Sequence, residues 1–362
     1  MESLRQSKGL IGWLRGAIWR RPSADFGPRR GPVTHVVILD GTMSSLEPGC
    51  ETNAGITYRL CREMGSQLSI YYEPGLQWHD WTSAQDVMMG RGINRQIRRA
   101  YGYLASRYRP GDRIFLMGYS RGAYAVRSLA GIVDLVGLLR ADDATERNIR
   151  DAYRHYQSDP ASPVARAFAR AHCHEAVPID MIGVWDTVKS LGLNAPVVWR
   201  LTEQRHAFHN HHISRNVRNG FQALALDETR NAYAPVLWSS PEGHEGRVEQ
   251  VWFAGTHGDV GGQLGGYEAA RGLANIPLVW LLERAQSCGL PLPADWQARF
   301  PQDAKAPSQG TFRGYGKLFI TRRARKVGLD RSEKLHDSIA DRVAARPRSQ
   351  GILSLLRPDR AI

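Results

Sequence analysis

The chain has 362 residues, 42% apolar and 23% charged, with 48 Lys plus Arg against 35 Asp plus Glu for a formal net charge of +13. That length holds one large α/β domain with insertions or two ordinary domains, and that composition excludes a disordered or collagen-like chain. The positive balance favours an anionic partner, either nucleic acid or a lipid surface, or else a solvated basic surface, with dense runs at 95–99 (Arg95, Arg98, Arg99) and 322–326 (Arg322, Arg323, Arg325, Lys326).

Residues 1–32 read as a separate basic amphipathic segment. Leu10, Ile11, Trp13, Leu14, Ala17 and Ile18 recur at helical spacing among Arg5, Lys8, Arg15, Arg20 and Arg21, which suits a helix lying on a membrane or packed on the main domain. After the linker "GPRRGP", strand and helix patterns alternate through the domain 33–345, leaving 346–362 as a tail. "VTHVVILD" (33–40) predicts a buried first strand, 52–65 a helix opened by Thr52, and "LSIYYE" (68–73) a second strand. Ile93, Ile97, Ala100, Tyr101 and Leu104 predict a helix over 91–108; "RPGD" then turns the chain into a strand at 113–117, with a helix over 121–139. Further helices are expected at 142–157 and 162–172, before the apolar strand "PIDMIGVWD" (178–186). An irregular stretch, 187–217, follows the strand, then a helix around 216–227, the strand "VEQVWFAG" (248–255) and a helix at 274–287 that passes Pro277. Strands alternating with helices predict an α/β fold: a mostly parallel central sheet with helices on both faces.

The cysteines Cys50, Cys61, Cys173 and Cys288 lie far apart without a Cys-x-x-Cys pair, so neither a zinc site nor a disulfide framework is expected. His206, His209, His211 and His212 crowd one segment, yet no carboxylate or cysteine stands at a matching offset, so no metal is assigned there and no cofactor is called for. No uncharged run approaches the roughly 18 residues of a membrane span, and no leader pattern opens the chain, which predicts cytoplasmic synthesis.

"RIFLMGYSRGAYAVRSLAG" (113–131) places Ser120 between Gly118 and Gly122 where a strand gives way to a helix. A serine in that strained turn needs glycine two residues to either side so that strand and helix can pack, and its hydroxyl then projects above the carboxyl end of the sheet. Its neighbours at the helix N-terminus can hold a developing oxyanion, with the Arg121 N–H as the expected donor. A hydroxyl needs a base to take its proton and a carboxylate to orient that base. Asp186, ending "MIGVW", suits the acid, and His257, just beyond "VWFAG", suits the base. Asp259 is the main rival acid and Asp134 a distant third; Asp259 is expected to support the glycine-rich loop carrying His257. "LDGT" ends the first strand, where Gly41 allows close backbone approach and Thr42 N–H supplies a second oxyanion donor, with Asp40 fixing the loop.

Seven ordered blocks together resemble the DUF2235 family, also described as the catalytic domain of Tle1-like phospholipase effectors of the bacterial type VI secretion system. They are "LDGT" with "TN" at 52–53, "GYSRGAYAVRSLAG", "VWDTVKSLG", "ALALDETR" (223–230), "VWFAGTHGDVGG", "LANIPLVWLLERA" (273–285) and "EKLHDSIADR" (333–342). The resemblance implies an α/β-hydrolase core, a triad falling on Ser120, Asp186 and His257, ester hydrolysis with phospholipids as the substrate class, and export by a type VI secretion system. One departure is Gln222, where members often carry a histidine before "ALALDE".

The expected function is a serine ester hydrolase acting on a phospholipid or another acyl ester. The apolar content of 187–217, including Leu191, Val198, Trp199 and Phe208, suits a helical insertion after the acid strand that serves as a lid or an acyl-chain pocket. The alternative is a basic module that binds a membrane surface on a hydrolase fold that no longer turns over; no nucleic-acid motif is present.

Overall fold

The computed structural model describes residues 30–75, 91–188, 212–240, 246–312 and 321–345. The chain divides into two units, Met1–Pro32 and Val33–Ile362, and the second carries the elements that follow. The expected amphipathic helix, the tail and most of the expected lid lie outside the described residues.

The elements run β1 (Thr34–Leu39), α1 (Asn53–Glu63), β2 (Leu68–Glu73), α2 (Arg91–Ala105), β3 (Arg113–Tyr119), α3 (Arg121–Leu135), α4 (Glu146–Ser158), α5 (Pro163–His172), β4 (Met181–Trp185), β5 (Asn219–Ala225), β6 (Arg247–Phe253), α6 (His257–Gly261), α7 (Arg271–Ser287), β7 (Glu333–Leu335) and α8 (Ser338–Ala345). Among the described residues one sheet of seven strands forms in the order β2-β1-β3-β4-β5-β6-β7, and every neighbouring pair is parallel. The fold is therefore α/β-hydrolase-like, with strand ends of β1, β3, β4 and β6 gathered at the carboxyl rim, where ligands bind in such sheets.

Side-chain alternation explains why these strands read as unbroken apolar runs. Val36 and Ile38 of β1, Phe115 and Met117 of β3, and Met181 and Trp185 of β4 point into one core layer with α1 and α7. Val37 and Leu39, Ile114 and Leu116, and Ile182 and Val184 point into the opposite layer, with α2, α3 and α4. A strand covered on both faces has no polar side to show.

The helix expected around 216–227 is instead the strand β5, buried from Gly220 to Ala225. Ala, Leu and Gln favour helix only weakly, and pairing on both edges with β4 and β6 overrides that preference. Gln222, standing where many family members have a histidine, is fully buried in a polar network. It accepts the Thr187 hydroxyl (2.6 Å) and an Arg127 N–H (3.2 Å), and donates to Gln250 Oε1 (3.1 Å) and the Val236 carbonyl (3.1 Å).

Candidate active site

β3 runs through Gly118 and Tyr119 into Ser120, which sits at φ 58° and ψ −119°, a strained conformation for a residue with a Cβ. The two glycines pack backbone on backbone. A Cβ on Gly122 would stand 2.0 Å from the Leu39 carbonyl oxygen, and one on Gly118 would stand 2.7 Å from the Gly122 carbonyl oxygen. Strand and helix thus approach more closely than any side chain allows, and Ser120 is lifted to the rim, where it is 6% exposed.

His257 opens α6 directly after β6, and Asp186 follows β4 at φ 40°. The structure brings both to Ser120. His257 Nδ1 lies 2.6 Å from Asp186 Oδ2, and Nε2 lies 2.9 Å from Ser120 Oγ. An ionised carboxylate only accepts, so Nδ1 carries the hydrogen and Nε2 offers its lone pair to the serine hydroxyl. The imidazole ring is held between Tyr119 (centroids 4.9 Å, interplanar 30°) and Tyr233 (4.7 Å, 56°), and the Tyr119 hydroxyl donates to the His257 carbonyl at 3.2 Å. Its backbone N–H donates to Glu228 Oε2 at 3.2 Å. Glu228 is itself gripped by Arg230 at 2.8 and 2.6 Å; burial pushes its pKa up, but Arg230 outweighs that and holds it below the usual range.

Asp186 is fully buried, a position that by itself raises a carboxyl pKa. The Arg325 guanidinium and the His257 hydrogen bond win, holding Asp186 well below the usual carboxylate range. Arg325 meets it on both oxygens, Nη1 to Oδ1 at 2.5 Å and Nη2 to Oδ2 at 2.9 Å, and donates also to the carbonyls of Ala225 (2.8 Å) and Tyr233 (2.6 Å). Its side chain is 4% exposed, so this member of the basic run 322–326 faces inward and not to an anionic partner. The Ala225 N–H donates to Asp186 Oδ1 at 3.0 Å.

The rival acids lie elsewhere. Asp259 accepts from the Thr256 N–H (2.7 Å) and hydroxyl (2.8 Å), the Ser308 hydroxyl (2.5 Å) and the Gln309 N–H (2.7 Å), and so caps α6 and ties it to 308–309. Asp134 accepts the Arg215 N–H at 3.1 Å. Among the described residues, no cluster of three or more His, Cys, Asp or Glu could hold a metal; His206, His209 and His211 lie outside them.

At the end of β1, Gly41 lets the Tyr119 ring pass, since a Cβ there would stand 2.5 Å from that ring. Its N–H donates to Asp40 Oδ1 at 2.6 Å and so faces the loop, not the serine. No protein acceptor among the described residues takes the N–H of Arg121 or of Thr42. Asp40 also accepts the hydroxyls of Thr52 (2.8 and 2.7 Å to its two oxygens) and Tyr72 (2.8 Å). Burial without a cation pushes its pKa from 3.8 up to about 6, against those hydrogen bonds. A carboxyl with a raised folded-state value contributes stability below its unfolded pKa, and that contribution is lost as pH rises through about 6. The expected loss is about 2 kcal/mol between pH 4 and pH 7. Asp40→Asn keeps the shape and should remove this slope; urea unfolding at the two pH values measures it, and an unchanged slope in the variant would disprove the assignment.

Sequence reasoning passed over Arg325, Glu228, Arg230, Tyr119 and Tyr233. Glu228 and Arg230 stand in the block "ALALDETR" and Tyr119 in "GYSRG", but no local pattern says that they face a histidine.

A family model described as "T6SS, Phospholipase effector Tle1-like, catalytic domain" matches residues 34–284. An uncharacterized protein of Saccharomyces cerevisiae is 28% identical over 234 residues, which is 56% of this chain and 34% of that protein, so the chain spans about a third of that relative's length. Among solved structures, an uncharacterized protein from Pseudomonas aeruginosa aligns at a TM-score of 0.40 and 14% identity, over 79% of this chain and 51% of the other. The Tle1 effector bound to the VgrG spike of the type VI secretion system aligns at a TM-score of 0.31 and 17% identity, over 65% and 52%. With the match extending from the first strand through α7, the chain belongs to the family of Tle1-like phospholipase effector catalytic domains.

Proposed function

We propose that the protein is a serine ester hydrolase acting on phospholipid or another acyl ester. The observation that carries this reading is the Ser120 Oγ to His257 Nε2 to Asp186 chain of 2.9 and 2.6 Å at the rim of the sheet. In the proposed mechanism Ser120 Oγ attacks the ester carbonyl carbon as its proton passes to His257 Nε2. Asp186 accepts from Nδ1–H throughout and offsets the imidazolium charge. The N–H groups of Arg121 and Thr42 receive the oxyanion of the tetrahedral intermediate. Collapse breaks the ester C–O bond, the alcohol leaves with the proton from Nε2, and water repeats the sequence to free the fatty acid and regenerate the serine. Membership of a phospholipase effector family supports a lipid ester as the substrate. Among the described residues no helix is long and apolar enough to cross a membrane.

The test is a panel of diacyl phospholipids, diacylglycerols and short-chain esters incubated with the purified chain, with free fatty acid as the readout. Release from at least one lipid class is expected. No release from any ester would refute the proposal.

A further inference from the structure

Arg121 enters the proposed mechanism through its backbone N–H alone, which leaves its side chain without a role there. That side chain is an anomaly. The residue is 4% exposed, its Nη1 is buried without a hydrogen-bond partner, and among the described residues its guanidinium makes no ion pair or hydrogen bond. Other buried arginines are provided for: Arg325 has Asp186 and two carbonyls, and Arg127 has Gln222, the carbonyls of Val236 and Leu237, and the Trp238 ring at 4.7 Å. A buried cation left uncompensated strongly destabilises a fold, so a place kept for one points to a partner that arrives from solution.

The position says what kind of partner. Arg121 is the first residue of α3, a helix of 15 residues, so its free N–H and the positive end of the helix dipole also favour an anion beside Ser120. It directly follows Ser120, and its charge acts on Tyr233, whose ring lies 4.7 Å from that of His257. The guanidinium therefore lies within electrostatic range of the tyrosine that packs on His257. Burial lowers its pKa to about 10, which leaves it cationic at neutral pH. A planar fork of donors suits the paired oxygens of a phosphate. In a glycerophospholipid only the glycerol unit separates the scissile ester from such a phosphate.

Resting on the hydrolase reading above, we propose that the Arg121 side chain is the phosphate-recognition group of the substrate site, selecting glycerophospholipids over neutral glycerides. The phosphate then supplies the counter-ion that the described residues do not provide, and places the ester over Ser120.

The experiment has two arms on the full chain. In the first, kcat/KM is measured for a diacyl phospholipid and for the diacylglycerol of the same acyl chains, in wild type, Arg121→Gln and Arg121→Lys. The phospholipid-to-diacylglycerol ratio is expected to fall at least tenfold in Arg121→Gln and less in Arg121→Lys, which keeps the charge and loses the fork. In the second, glycerol 3-phosphate and inorganic phosphate are titrated calorimetrically into Ser120→Ala and into Ser120→Ala/Arg121→Gln. Glycerol 3-phosphate is expected to bind at least tenfold more weakly to the double variant, and inorganic phosphate more weakly than glycerol 3-phosphate to the single one. Arg121→Met, which removes an unpaired buried charge, is expected to raise Tm, whereas a structural arginine would lower it on removal. An unchanged substrate ratio, or equal glycerol 3-phosphate affinity in both backgrounds, would overturn the proposal. Should the wild type release no fatty acid at all, the hydrolase reading falls, and the binding arm still decides the role of Arg121.

Discussion

Ser120→Ala is expected to lower kcat/KM on a lipid ester by about 10⁴-fold or more while leaving the fold intact. The size follows from the role proposed for the hydroxyl: without it no acyl-enzyme would form, and only the proposed oxyanion donors and binding would remain to assist water. The fold should survive because the Ser120 backbone, not its hydroxyl, holds the turn, its N–H donating to the Trp185 carbonyl at 3.0 Å. Matching Tm values in the variant and the wild type, together with initial rates, measure both halves. A rate within tenfold of wild type would remove Ser120 from the chemistry.

Arg325→Met is expected to destabilise the protein by about 3–5 kcal/mol, because it strands the fully buried Asp186 carboxylate with one histidine and one backbone N–H. The carbonyls of Ala225 and Tyr233 lose their donor in the same step. Activity should fall as well, through kcat more than KM, since Asp186 loses one of the contacts that fix its position and, in the proposed mechanism, acts through His257 and not on the substrate. The pH dependence has a definite sign. Asp186 is depressed in the folded state, so the stabilisation from its pairing is present above the ordinary carboxylate range and is lost only on acidification below it. The gap between wild type and variant in urea unfolding should thus be full at pH 7 and shrink below about pH 4. Arg325→Lys, which keeps the charge without the bidentate fork, should recover part of it. Equal stability of Arg325→Met and wild type at pH 7 would show that the ion pair contributes nothing.

Much of the sheet could be read from the chain because β1, β3 and β4 are apolar on both faces and end in glycine or aspartate turns. β5 was hidden by helix-favouring residues whose strand state depends on neighbours far along the chain, and β7 is three residues, Glu333–Leu335, with no apolar run to mark it. Ser120, Asp186 and His257 could be chosen because each stands where a strand ends, so the topology that defines the strands also carries these side chains to one rim. Arg325 could not. It pairs across 139 residues, from within a basic run whose composition is that of a solvated surface, and only burial separates the two cases. Arg121 shows the same limit at shorter range, since a motif specifies its backbone but says nothing about whether its guanidinium has a partner.

The most direct measurement is peptide mapping after exposure to a fluorophosphonate, an electrophile that modifies only an activated serine. The account predicts one covalent adduct, on Ser120, lost in His257→Ala and in Ser120→Ala. An unmodified Ser120, or an adduct on another serine that persists in His257→Ala, would contradict it.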